Sequence, residues 1–293
     1  MSRIIESLSD VQSRYEALFC DLWGCVHDGL RPFPAAVRAL QSYRAAGGKV
    51  VLVTNSPRPR ASVEEQLAQI GVPRDCWDTI ATSGDSARAA MFQGAVGRKV
   101  YFIGDPDTDM GFFEPLKILD NPIRIEKVPL AEAEGIVCTG PFDTQADPEV
   151  NRPDFLYAKA KGLKLLCANP DIVVDRGETR EWCAGALARL YAEMGGESLY
   201  FGKPHPPIYD LARRRLTALT GSTVDDARIL AIGDGIGTDI LGGIGEAIDT
   251  LFITGGLEAA RFGPDIDNPD PALLEDWLAD RQLSPTYSIG RLR

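Results

Sequence analysis

The chain has 293 residues, 44% hydrophobic and 25% charged, the balance of a folded globular protein; this excludes disorder as its main state and leaves room for two packed units. Lys and Arg total 31 against 42 for Asp and Glu, a formal charge of -11 that repels polyanions, so nucleic acid is not expected as a partner. No stretch approaches the roughly 20 apolar residues of a membrane span and the opening residues lack the apolar run of a signal peptide, so no membrane partner and a cytoplasmic location are expected.

In chain order, Ser9-Asp-Val-Gln12 reads as a capping box that opens a helix, followed by an apolar strand at 17–20 that ends on Asp21. Pro34 suits a first helical turn, Val37 and Leu40 form an apolar stripe, and Gly47-Gly48 ends that helix. Residues 49–53 form a continuous apolar run, as parallel strands buried on both faces do, ending at Thr54-Asn55. Val63, Leu67 and Ile70 stand at helical spacing before Gly71. The rhythm is βαβα.

A second α/β stretch, with shorter strands and longer loops, is expected over residues 82–197. Its strands are predicted at 99–103, 135–138 and 164–168, with Pro-, Asp- and Gly-rich connections and a helix near 182–194 that stops at Gly195-Gly196. It reads as an inserted domain between the two parts of the other, residues 1–81 and 198–293. The first rhythm then resumes with a strand at 199–201, a helix at 206–219, a strand at 228–232, a glycine-rich turn, a helix from Thr238 and a strand at 250–253. The fold class is α/β.

The six cysteines are scattered with no C-x-x-C pair, and only His27 and His205 are available, which leaves no zinc cluster and little scope for Ser-His-Asp chemistry. Cys20 reads as a small core residue, and the aromatic and Met stripe near 182–194 as packing. Three apolar strands end in polar residues: Asp21, Thr54-Asn55 and Asp234. In a parallel sheet such ends converge on one crevice. Two carboxylates meeting there repel unless a cation lies between them, and hard oxygen ligands suit Mg²⁺ with a substrate phosphate. Lys203 and the Thr54 hydroxyl would serve the phosphate oxygens. Alone, each aspartate reads more readily as a cap or turn residue, and Thr54 and Lys203 read equally well as a cap and a surface charge; together they read as phosphoryl transfer. The glycines of Gly233-Asp-Gly-Ile-Gly237 fit a dinucleotide loop poorly.

Phe19-Cys-Asp21-Leu-Trp-Gly24, Leu52-Val-Thr54-Asn55, Tyr200-Phe-Gly-Lys203-Pro204 and Ile232-Gly-Asp234-Gly-Ile-Gly-Thr-Asp239 resemble, in order, the four signature motifs of the haloacid dehalogenase superfamily of phosphatases. The long insertion with Ala168-Asn-Pro-Asp171 inside it resembles the class IIA, NagD-like branch. The resemblance implies a Rossmann-like core with an α/β cap of the C2 type over residues 82–197. It also implies a Mg²⁺-dependent phosphatase of a small phosphorylated metabolite such as a sugar phosphate or nucleotide. Asp21 would form an aspartyl-phosphate, and Thr54, Asn55 and Lys203 would hold the phosphoryl oxygens. Mg²⁺ would be held by Asp21, the Trp23 carbonyl and Asp234, with Asp239 assisting, while Asn169 and Asp171 of the cap would touch the leaving group. A homodimer is compatible with it.

One departure stands out. Trp23 occupies the place where the superfamily usually has an aspartate that protonates the leaving oxygen. Losing such a group costs roughly 10²–10⁴-fold, so a slow enzyme is expected, with aryl or acyl phosphates least affected. Asp28 or His27 could substitute, although a turn carboxylate and a loop histidine are the plainer readings. The alternatives are a binding protein for a phosphorylated ligand and a phosphotransferase with a long-lived phosphoaspartate.

Overall fold

In the computed structural model, residues 2–115, 121–176 and 179–293 are described. Strands β1 (Arg3–Ile4) and β2 (Ala17–Cys20) lead to helix α1 (Pro34–Ala45), β3 (Lys49–Thr54), α2 (Arg60–Gln69), β4 (Thr79–Thr82) and α3 (Ser83–Phe92). There follow β5 (Lys99–Ile103), β6 (Glu126–Lys127), β7 (Gly135–Cys138), α4 (Arg152–Ala160), β8 (Lys164–Cys167), β9 (Val173–Arg176), β10 (Thr179–Trp182), α5 (Ala184–Glu193) and β11 (Glu197–Tyr200). The chain ends with α6 (Pro206–Thr220), β12 (Ile229–Gly233), α7 (Leu241–Gly245), β13 (Asp249–Ile253), α8 (Pro271–Arg281) and β14 (Tyr287–Ile289).

Contacts divide the chain into two units, the first made of residues 1–54, 64–81 and 209–293 and the second of 55–63 and 82–208. The first carries a seven-stranded sheet ordered β1-β14-β13-β12-β2-β3-β4. β2 lies between β12 and β3, parallel to both. The continuous apolar runs are explained by burial on both faces: every residue of β2 and β12 is buried. Helix α8 packs Leu274 and Leu278 against Phe252 and Phe262 of the same unit.

The second unit is itself α/β, with a parallel five-stranded sheet ordered β11-β8-β7-β5-β6 and an antiparallel β9–β10 hairpin. Leu187, Leu190 and Tyr191 of α5 pack with Ile136, Leu165 and Phe155, and Trp182 and Met194 join the same cluster, so that stripe is packing. All six cysteines are buried, and no disulfide joins them.

Two local expectations are corrected. Residues 9–12 do not open a long helix: the chain makes two short 3₁₀ turns, Leu8–Asp10 and Gln12–Arg14. The Asp10 carboxylate accepts the amides of Glu6 and Ser7, each at 3.0 Å, so the cap belongs to Ser7 and not to Ser9. The strand expected at 199–201 does form, as β11, but it does not resume the first sheet; it pairs in parallel with β8, Glu197 opposite Lys164. No described helix is long and apolar enough to cross a membrane.

Candidate functional site

Asp21 and Asp234 leave neighbouring strands at the same end of the first unit's sheet. The register pairs Cys20 with Ile232, and Asp21 continues the ladder by donating its amide to the Ile232 carbonyl at 2.8 Å. Asp234 follows β12 by one residue. Both side chains are buried, and one oxygen of each, together with the Cys25 sulfur, forms a group whose members all lie within 4.8 Å of one another.

Main chain is wrapped tightly around Asp234. Its Oδ2 accepts the Leu257 amide at 2.9 Å. Gly24, at φ +72°, passes so close that a Cβ would stand 2.0 Å from the same oxygen, which restricts this position to glycine on two grounds. Asp239 lies in the following turn, where its Oδ2 accepts the Gly235 amide at 3.1 Å. Thr54 closes β3, the other neighbour of β2, and is 2% exposed.

Buried like charges this close are unfavourable unless a cation neutralises them. The donor set passes that test for a hard divalent ion, since Asp21 and Asp234 present carboxylate oxygens. Burial pushes the Cys25 thiol well above its ordinary range, and the Asp234 and Asp21 carboxylates push it further. It is therefore protonated at neutral pH and a poor ligand beside two carboxylates.

The loop after Asp21 is internally bonded. Trp23 meets His27 edge to face, with ring centroids 5.2 Å apart. His27 is buried; its Nδ1 accepts the Gly29 amide at 2.9 Å, and burial pulls its pKa down to about 4 against an upward pull from Asp28. Asp28 caps a turn: Oδ1 accepts the amides of Leu30 and Arg31 at 2.9 and 2.8 Å. Although desolvation pushes upward, those amides and the Arg31 guanidinium hold its carboxyl below the usual range. The turn and loop readings of both residues fit these bonds.

Four other expected site residues gather in the second unit. Asn55, next in the chain to Thr54, receives the Lys203 amide on Oδ1 at 2.7 Å and donates through Nδ2 to the Lys203 carbonyl at 3.1 Å. The same Nδ2 donates to Asp171 Oδ1 at 2.8 Å, and the Asp171 amide donates to Asn169 Oδ1 at 3.1 Å. Lys203 itself is 3% exposed. Asn55 therefore grips the main chain that carries Lys203, a role its place after a strand did not announce.

Thus Asp21, Thr54, Asp234 and Asp239 belong to the first unit, and Asn55, Asn169, Asp171 and Lys203 to the second. Sequence reasoning missed Cys25, Gly24 and the Leu257 amide. The glycine pair Gly255-Gly256, one residue beyond the end of β13, was a readable signal for the last: a Cβ on Gly256 would stand 2.1 Å from Asp234 Oδ2.

A model of haloacid dehalogenase-like hydrolases matches residues 18–114, and a second, described as HAD-hydrolase-like, matches residues 200–280. The crystal structure of a hydrolase of the haloacid dehalogenase-like family from Brucella suis 1330 is 40% identical. It superposes with a TM-score of 0.85 over 99% of this chain and 100% of that one. A 5'-nucleotidase, YutF, from Bacillus subtilis is 24% identical over 272 residues, 90% of this chain and 98% of the relative. An acid sugar phosphatase from Staphylococcus aureus is 22% identical over 281 residues, 95% and 96% of the two chains.

Proposed function

Because the chain belongs to the haloacid dehalogenase-like hydrolases, we propose that it is a Mg²⁺-dependent phosphatase of a small phosphorylated metabolite, acting through an aspartyl-phosphate on Asp21. The observation that carries the reading is the buried Asp21–Asp234 pair at adjacent parallel strand ends. The named relatives, a nucleotidase and a sugar phosphatase, support a phosphomonoester as substrate. In this reading residues 1–81 and 198–293 serve as the catalytic core and 82–197 as the cap.

Asp21, Asp234 and the Trp23 carbonyl would hold the Mg²⁺, with Asp239 assisting; when bound, the ion offsets negative charge around the transferring group. The Asp21 carboxylate attacks phosphorus, splitting one difficult displacement into two easier ones. The Thr54 hydroxyl and Lys203 ammonium bind the phosphoryl oxygens, supplying fixed donors and charge where charge develops. Asn55 acts on those oxygens through Lys203, whose main chain it holds from both sides. Asn169 and Asp171 are assigned to the leaving-group side.

Purified protein assayed with para-nitrophenyl phosphate should release phosphate with Mg²⁺, stop on addition of EDTA and recover when Mg²⁺ is restored. Turnover that survives EDTA rejects the metal assignment. Absence of turnover with every phosphate ester tried rejects the phosphatase reading.

A further inference from the structure

Alanine is the better helix former, and glycine replaces it inside a helix at a cost, where room or backbone freedom is needed. Two helices of the second unit carry glycine as their second residue, Gly84 in α3 and Gly185 in α5. Neither stands at positive φ, so the reason is room.

A helix leaves its first amides without a partner of its own. The Gly84 amide donates to the Ser56 carbonyl at 3.0 Å, and a Cβ on Gly84 would stand 2.1 Å from the Pro57 carbonyl oxygen. The Gly185 amide donates to the Asp171 carbonyl at 3.1 Å, and a Cβ on Gly185 would stand 2.0 Å from the Pro170 carbonyl oxygen. The two docks are alike: a glycine amide takes one loop carbonyl, and the missing Cβ admits the carbonyl beside it. Both obstacles are main chain, so an added methyl has to move the loop or the helix. The first loop begins at Asn55, and the second carries Asn169 and Asp171.

The loops meet at Gly202, directly before Lys203. A Cβ on Gly202 would stand 2.4 Å from Asn55 Oδ1, 2.6 Å from Ser83 Oγ and 2.7 Å from Pro170 Cδ. One turn further along α3, the Ser86 hydroxyl donates to the Pro207 carbonyl at 3.3 Å, so the start of α3 touches the chain on both sides of Lys203. With so little clearance, the bonds from Asn55 to Lys203 and to Asp171 form together only when both loops stand in register.

We propose, resting on the phosphatase reading above, that Gly84 and Gly185 are positioning residues of the reaction: each docks one loop on the start of a helix, and together they hold Asn55, Lys203 and Asp171 in the register in which Asn55 bridges the other two. Gly84 acts through Asn55, and so on the main chain that carries Lys203. Gly185 acts through Asp171, which receives the same Asn55 Nδ2 group. Its effect is the smaller, because it governs one of the three Asn55 bonds.

The test is a double-mutant cycle read in kcat/KM for para-nitrophenyl phosphate with Mg²⁺. Gly84→Ala should lower kcat/KM about tenfold and Gly185→Ala about threefold, whereas in an Asn55→Ala background each should cost under about twofold, because the clamp they serve is already gone. Gly135→Ala is the control for mere strain. A Cβ there would stand 2.4 Å from the Val96 carbonyl oxygen, a comparable main-chain clash at the start of β7, so it should lower the melting temperature and leave kcat/KM within about twofold of wild type. Losses as large in the Asn55→Ala background as in the wild type overturn the proposal. So does an unchanged kcat/KM in a folded Gly84→Ala protein, or a Gly135→Ala loss as deep as that of Gly84→Ala. If Gly84→Ala does not fold, the Gly185→Ala cycle decides by the same criterion. If neither folds, Ser86→Ala, which releases α3 from Pro207 without adding an atom, has to lower kcat/KM about threefold in the wild type and not in Asn55→Ala. A wild-type protein inactive on every phosphate ester is instead the failure of the phosphatase reading itself.

Discussion

Both sheets are parallel and both bury apolar strands, yet their carboxyl ends differ. The seven-stranded sheet ends β3 on Thr54 and follows β2 and β12 with Asp21 and Asp234, whereas the five-stranded sheet follows β5, β7 and β8 with Gly104, Thr139 and Ala168. One construction therefore gathers buried carboxylates and the other does not. Sheet architecture fixes where a site can be; the residues after the strands fix whether there is one.

The sharpest way to break that comparison is to neutralise one strand end of the first sheet. Asp21→Asn removes the nucleophile while keeping shape and the backbone bond to Ile232, and turnover should fall on the order of 10⁴-fold or more with no loss of melting temperature. A variant that turns over as fast as the wild type would end the aspartyl-phosphate mechanism. Asp234→Asn should cost on the order of 10³-fold, part of it recovered at high Mg²⁺, because it weakens the cation site without touching the nucleophile. Calorimetric Mg²⁺ binding unchanged in this variant would show that the carboxylate pair is no metal site.

How much of this was readable beforehand follows the range of the interactions. Lys49-Val-Val-Leu-Val53 announces a buried parallel strand because its own composition suffices, and the polar residue after each such run marks the crevice. Leu199 to Phe201 announces a strand equally well, but which sheet it joins depends on Lys164 to Cys167, far away in the chain. Asn55 was expected to hold phosphoryl oxygens, and its grip on the Lys203 main chain was not legible, since that partner is 148 positions away. Asp10 defeated the capping box at Ser9 by taking the amides on its own N-terminal side, a choice the local pattern leaves open.

The loop after β2 also gives the first unit a pH dependence. His27 titrates at about 4 when folded against an ordinary 6.5, chiefly through burial, so the unfolded chain binds the extra proton between those values. Its contribution is complete above about pH 6.5 and is lost as the pH falls toward 4. The full difference is about 3 kcal/mol. Denaturant melts at pH 7 and pH 5 should show the wild type losing stability that His27→Gln does not lose; parallel losses would assign the acid sensitivity to other groups. In the second unit, Asn55→Ala removes both bonds that hold Lys203 and the one to Asp171, which predicts about 2 kcal/mol less transition-state stabilisation, or roughly 30-fold in kcat/KM. An unchanged kcat/KM would separate the clamp from the chemistry.

The smallest effect is expected at a strand end of the second sheet, and it is the control for the others. Thr139 follows β7 and donates its hydroxyl to Asp109 Oδ2 at 2.6 Å, while Asp109 also accepts the Asp105 amide at 3.2 Å and the Thr108 hydroxyl at 3.3 Å. Thr139→Val keeps the shape and removes one bond from a carboxylate that retains others, so it should lower stability by about 1 kcal/mol. A position equivalent in the fold to Asp21 but structural in its chemistry should leave kcat/KM within about twofold of wild type, a change under the roughly 0.6 kcal/mol of thermal energy. If Thr139→Val instead depresses turnover as far as Asn55→Ala, the carboxyl end of β7 takes part in the reaction, and Thr139 is no structural control.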